Sequence, residues 1–227
     1  MNNITYEYRY LLELLKGQKK LKRLRTGWSK HHLFKTISVY LLIDILLNFI
    51  IIFPLYLLFE QFFDTYNEFL KNDFEIILLG VLILPFIEEL LFRWPMVYKE
   101  LHFKLFLVLV SLILITLYWP IGLALFISVL FLVSLDWKKD YKYDIEGLHA
   151  KYSRHIFWIL TVSFALVHMS NYDYQSIPIW VYPFMVIPQF IGGVFLGIVR
   201  IRFGLRYSII LHSLFNLFAF GVDFIFG

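Results

Sequence analysis

Residues 105–135 read LFLVLVSLILITLYWPIGLALFISVLFLVSL, 31 positions without a single charge. As one straight helix this stretch would be about 46 Å long at 1.5 Å per residue, well beyond a hydrocarbon core of roughly 30 Å. Trp119-Pro120-Ile121-Gly122 stands near its middle, and proline beside glycine is turn chemistry. The stretch therefore reads as a hairpin of two apolar spans, 101–119 and 120–138. The distribution of basic residues supports this. With the hairpin and an inside N-terminus, the inner segments hold 20 of the 21 Lys and Arg residues, and only Lys71 falls outside. That is the bias the positive-inside rule expects. A single span would put Lys138, Lys139, Lys142, Lys151 and Arg154 on the wrong side.

The rest of the chain agrees with a membrane setting. It is 60% hydrophobic and 17% charged, with a mean hydropathy of +0.71. Soluble domains run at about 45–50% apolar and about 25% charged. The absence of cysteine excludes disulfide frameworks, thiolate metal sites and cysteine nucleophiles. The net charge of +4 sits between apolar runs rather than on one basic face, so nucleic acid is not an expected partner. Further apolar spans read 36–59, 74–98, 156–169, 181–199 and 207–226. The fold class predicted is all-α, a polytopic transmembrane helix bundle of about seven spans with a cytoplasmic N-terminus. Residues 1–34 form a basic cytoplasmic segment, and residues 35–227 one membrane domain. The polar break 136–155 reads as an internal loop.

Charges inside a bilayer cost about 2.5–3.5 kcal/mol each on insertion scales, so ionisable residues within spans are functional candidates. They are Asp44, Glu88, Glu89, Arg93, His168, His212 and Asp223. Asp44, with Asn48 one turn later, reads as a polar pair packed on another helix. Asp223 lies near the outer end, where water is in reach. Glu89 and Arg93 are four apart and face each other on a helix, so they can form an ion pair. Glu88 is turned about 100° away from that pair. One carboxylate is thereby neutralised while its neighbour stays available for proton chemistry. Pro85 and Pro95 bracket the triplet. His212 and Asn216 share a face of the last span and can donate to one point, as an oxyanion hole requires. Gly193 and Gly197 read as close helix packing rather than chemistry.

Depth is the test of whether these groups meet. Counted from Lys104, Arg154 and Arg206 in turn, Glu88 lies about 24 Å deep, His168 about 21 Å and His212 about 9 Å, at 1.5 Å per residue. The first two agree, and the third is too shallow unless Arg206 enters the membrane or the helices tilt.

The order Glu-Glu-x-x-x-Arg (88–93), Phe-x-x-x-His (164–168) and His-x-x-x-Asn (212–216) resembles the CAAX-protease and bacteriocin-processing family, CPBP or Abi, of intramembrane endopeptidases. The resemblance covers residues 74–226. It implies that Glu88 and His168 activate the attacking water and that His212 and Asn216 stabilise the tetrahedral oxyanion. Glu89 and Arg93 are implied as supporting residues that orient Glu88. No metal or other cofactor is implied. Two departures stand out: Trp94 and Pro95 follow Arg93 where the family usually has glycine, and the gap from Glu88 to His168 is long, which the hairpin accounts for.

The expected activity is hydrolysis of a peptide bond in a membrane-associated peptide or lipidated protein, as in CAAX-type processing, peptide maturation or bacteriocin self-immunity. A bacterial plasma membrane is the expected location. Three rivals remain open. A metalloprotease would hold zinc through Glu88, His168 and His212, although no His-Glu-x-x-His motif is present. A non-catalytic scaffold or immunity protein would keep the fold alone. A transporter would use the same groups as a proton relay, without the support of paired repeats.

Overall fold

The computed structural model describes residues 30–63, 78–134, 139–172 and 177–226, together with Thr5 and Arg9. The greater part of the basic 1–34 segment lies outside the described residues. Within them the chain is a helical bundle of eight α-helices with no strand. They are α1 (Lys30–Phe63), α2 (Leu84–Phe92), α3 (Glu100–Leu117), α4 (Trp119–Ser134), α5 (Lys139–Val167), α6 (Tyr182–Met185), α7 (Ile187–Arg202) and α8 (Leu205–Phe226). A π-helical turn, Leu79–Ile83, leads into α2, and 3₁₀ turns follow α2 (Trp94–Met96) and α5 (His168–Asn171).

The burial pattern reverses that of a soluble protein. Glu89, Arg93, Thr161 and Ser208 are at 0% exposure, whereas Leu58, Leu117 and Ile179 are 73%, 75% and 83% exposed. Polar groups inside and large apolar groups outside are what a hydrocarbon solvent selects. One helix, Leu33–Glu60, is long and apolar enough by itself to cross a bilayer, while Phe103–Leu117 and Trp119–Phe131 are shorter apolar helices.

The hairpin forms where Trp119-Pro120 predicts it. The chain leaves the helical region at Tyr118, α4 begins with Pro120 at its second position, and α3 and α4 pack on each other along their length. Gly122 is required there, because a Cβ would lie 2.1 Å from the backbone nitrogen of Ile115. The polar stretch 136–155, expected as a loop, is helical from residue 139. Its lysines, aspartates and glutamate are compatible with a solvated helix, and hydropathy registers only the lack of apolar residues.

α7 is the central helix, packed against α1, α5 and α8. Its residues Phe195, Leu196, Ile198 and Val199 join Ile37, Tyr40, Phe157, Phe164 and Leu211 in the core. The two glycines of its Gly-x-x-x-Gly face let α5 approach. A Cβ on Gly193 would meet Phe164 at 3.1 Å and Thr161 at 3.3 Å, and one on Gly197 would meet Phe157 at 2.6 Å. Asp44 lies on the other side of α7, facing Gly192 at 3.7 Å from the Cβ position. Asn48 donates to Asp44 Oδ1 at 2.9 Å, so the two form the polar pair expected of them. The side chain of Asp223 lies outside the described residues. At the end of α7, Gly204 takes φ +111°, a conformation that favours glycine, and turns the chain into α8.

Candidate active site

α2 is short because of what flanks it. Proline disfavours helical geometry in the residue before it, and Trp94-Pro95 follows Arg93 directly. The helix ends at Phe92, with Arg93 as its cap. The freed carbonyls of Arg93 and Trp94 accept hydrogen bonds from the buried side chain of Arg200, at 2.9 Å from Nε and 3.3 Å from Nη2. This ties the end of α2 to α7. Glu88 is therefore only four residues from the end of its helix, or about 6 Å of rise. The count of about 24 Å from Lys104 does not apply, because Val97 and Lys99 are extended and break the helix, and Glu88, His168 and His212 meet directly.

The triplet divides its work by helical phase. Glu89 faces the interior at 0% exposure, with Oε1 3.6 Å from Arg93 Nε. The Arg93 guanidinium is also fully buried and lies 4.1 Å over the Phe164 ring, a cation–π contact. Glu88 keeps 22% side-chain exposure and faces two imidazoles. Its Oε2 is 3.5 Å from His212 Nε2 and 3.9 Å from His168 Nε2. Both separations exceed a hydrogen bond in length and suit groups that share a water oxygen.

The far side of each imidazole fixes its tautomer. His168 Nδ1 is 2.8 Å from the Phe164 carbonyl oxygen, which can only accept, so Nδ1 carries the hydrogen. In the neutral ring Nε2 is then a bare acceptor turned toward Glu88. His212 Nδ1 is 3.2 Å from Glu89 Oε1. A carboxylate oxygen accepts, so facing it Nδ1 again donates, and His212 Nε2 carries a hydrogen only in the imidazolium. Phe164 is a wall for both rings, edge-on to His168 at 4.7 Å and to His212 at 5.7 Å between centroids.

Asn216 is placed by a helix defect. In the π-helical turn Leu84 N–H bonds Leu79 O, five residues back. The next donor in that pattern would serve Gly80 O, but it belongs to Pro85, which has no N–H. Asn216 Nδ2 donates to Gly80 O instead, at 2.8 Å. Gly80 is needed for this approach, since a Cβ would lie 2.8 Å from the Phe220 ring. One amide hydrogen of Asn216 is thus engaged, and the other is what an oxyanion role requires.

The structure joins Glu88, Glu89, Arg93, His168 and His212 in one contact network, with Asn216 one turn beyond His212 on α8. Glu89 contacts His212 rather than Glu88, so the histidine is the group it orients. Three participants escaped the sequence reading: Ser208, which donates to Glu89 Oε2, the Gly80 carbonyl and Arg200; Phe164 is legible there only as a motif position. A serine four residues before His212 is the one signal that could have been followed. The zinc donors considered above do face one another, but among the described residues no group of three or more His, Cys, Asp or Glu side chains has an arrangement that would hold a metal ion.

Fold and site together define a helical bundle with a carboxylate–imidazole centre among its helices. Residues 142–218 match the Rce1-like family, described as type II CAAX prenyl endopeptidase Rce1-like. The match takes in His168, His212 and Asn216, and bears out the resemblance to the CAAX-protease and bacteriocin-processing family. The match spans about a third of the chain, and what it is similar to is a family of CAAX-type proteases. No curated protein and no solved structure matches it.

Proposed function

We infer that the chain is a glutamic intramembrane endopeptidase, hydrolysing a peptide bond in a membrane-associated peptide or lipidated protein. The observation that carries this reading is Glu88 Oε2 facing His212 Nε2 at 3.5 Å and His168 Nε2 at 3.9 Å, with the Nδ1 atom of each ring occupied behind. A water held between Glu88 and His168 has two acceptors for its protons. Its oxygen attacks the scissile carbonyl carbon while Glu88 takes one proton. The carbonyl oxygen becomes an oxyanion, stabilised by imidazolium His212 and the second amide hydrogen of Asn216. Collapse breaks the C–N bond, and the proton on Glu88 passes to the leaving amine. An apolar cavity of about 440 Å³ lies between α5, α6 and α7, lined by Ala165, Leu166, Met169, Tyr182 and Phe190. It suits the apolar part of a membrane-associated substrate.

The chain is placed in this reading with seven spans and its N-terminus in the cytoplasm, in a bacterial plasma membrane. A cysteine introduced in the 145–152 stretch should then react only with reagents supplied from the cytoplasmic side. The test of function is purified protein in detergent against a library of lipidated and unlipidated peptides, with and without chelator, beside Glu88→Gln. Cleavage that survives chelation and vanishes in Glu88→Gln is the expected result. Loss on chelation with recovery on adding zinc would instead make Glu88, His168 and His212 metal ligands.

A further inference from the structure

Ser208 lies one helical turn before His212 on α8 and is at 0% exposure. Its hydroxyl crosses to α2 and donates to Glu89 Oε2. It has one hydrogen and a second acceptor near it, Leu196 O of α7 at 3.1 Å. The ionised carboxylate is the stronger acceptor of the two. Glu89 is therefore held at both oxygens, by Ser208 on Oε2 and by His212 Nδ1, at 3.2 Å, on Oε1.

We propose that Ser208 is a positioning residue for the hydrolytic reaction, acting on His212 through Glu89. The proposal rests on the reading of Glu88 and His212 as the hydrolytic centre, and it adds a relay behind them. The terminal torsion of a glutamate is broad and roughly two-fold, so the carboxylate plane is set by what bonds its oxygens. Ser208 fixes that plane and supplies a donor to an oxygen that has no water to turn to. With the donor present, Glu89 stays an acceptor, the hydrogen stays on His212 Nδ1, and Nε2 remains turned to Glu88 at 3.5 Å. Without it, the carboxylate plane is free to turn away from Nδ1, and the imidazole hydrogen is no longer held there against Nε2. The imidazolium that faces the oxyanion then lacks an aligned carboxylate behind it. Ser208 is placed behind Glu89, so its effect belongs in turnover and not in substrate affinity.

The experiment compares the full-length wild type with Ser208→Ala and Ser208→Thr, each purified in detergent. One readout is kcat and KM on a peptide that the wild type cleaves. The other is the ¹⁵N spectrum of histidine-labelled protein, with the His212 signals assigned by their loss in His212→Gln. Misplacing a reacting group by about 1 Å can cost about 10²-fold, so Ser208→Ala should lower kcat by up to about 10²-fold with KM nearly unchanged. Its His212 signals should move toward the Nε2–H tautomer, and Ser208→Thr should restore both. Where Ser208→Ala does not yield folded protein, Ser208→Cys weakens the donor at nearly constant volume and should shift the signals in the same direction. His212 signals unchanged by loss of the hydroxyl overturn the proposal, whatever the rate does. So does a rise in KM at constant kcat. If the wild type cleaves no peptide but the His212 signals still shift, the relay stands and the hydrolytic reading falls.

Discussion

Replacing Arg93 separates architecture from chemistry, because Arg93 touches Glu89 but not Glu88 in the contact network. In Arg93→Met the stem keeps most of its volume and the charge is gone. Glu89, at 0% exposure, then loses the cation 3.6 Å from its Oε1. Breaking a buried pair this way costs about 3–5 kcal/mol, and the contact 4.1 Å above Phe164 adds up to about 2 kcal/mol when desolvated. Two features pull the figure down. Glu89 retains Ser208 and His212 as donors. Arg93 itself holds Nε and both Nη atoms buried without a hydrogen-bond partner among the described residues, a burden of about 1–3 kcal/mol that the substitution removes. The expected net loss is about 3 kcal/mol, which for a chain of this size is a fall in Tm of about 6–12 °C. Tryptophan fluorescence melts in one detergent give the measurement. The double variant Glu89→Gln/Arg93→Met buries no charge at this position and should regain most of the loss. An Arg93→Met protein melting within about 1 °C of wild type, or a double variant no better than the single, would show that the pair does not hold α2 in place.

Four other outcomes follow from the same geometry. Glu88→Gln keeps size and reach at a partly exposed position, so it should abolish peptide hydrolysis while the melting curve stays that of wild type. Asn216→Ala removes a proposed oxyanion donor and should slow turnover about 10²–10³-fold; Pro85→Ala should slow it too, because a new N–H at 85 competes for Gly80 O and releases the Asn216 amide. Gly197→Ala puts a methyl 2.6 Å from the buried Phe157 ring, an overpacking that should cost about 1–3 kcal/mol in a thermal melt.

The class of the fold was legible because it is written in composition and charge order, and those survive folding unchanged. The hairpin was legible because Pro120 and Gly122 interrupt an apolar run too long for one span. Helix boundaries were not. The stretch from residue 139 was taken for a loop on polarity alone, yet a helix outside the hydrocarbon has no need of apolar residues. The apolar pattern carries the span to residue 98, whereas Pro95 stops the helix and Arg200, from more than a hundred residues away, bonds the carbonyls of Arg93 and Trp94. The count of about 24 Å for Glu88 fails for that reason.

The centre shows the same division. An i,i+4 pairing of Glu89 with Arg93 follows from helical phase alone, and so does the turning away of Glu88. What phase could not give is the reason both glutamates matter together. His212 supplies it: its Nδ1 lies 3.2 Å from Glu89 Oε1 and its Nε2 3.5 Å from Glu88 Oε2, so a single ring bridges two consecutive carboxylates. One is dry and paired, and the other is open and facing His168. Their assignment depends on the rotation of α2 about its axis, since one residue of phase, about 100°, would exchange them. The π-helical turn immediately upstream inserts such a shift, and π-turns are frequent where function needs a local change of phase. Pro85 and the Asn216 amide on Gly80 O hold that turn in place. The irregular segment thus sets which glutamate is open and which is dry, and Asn216, read from the sequence as a group that acts on the substrate, also anchors the helix that presents Glu88.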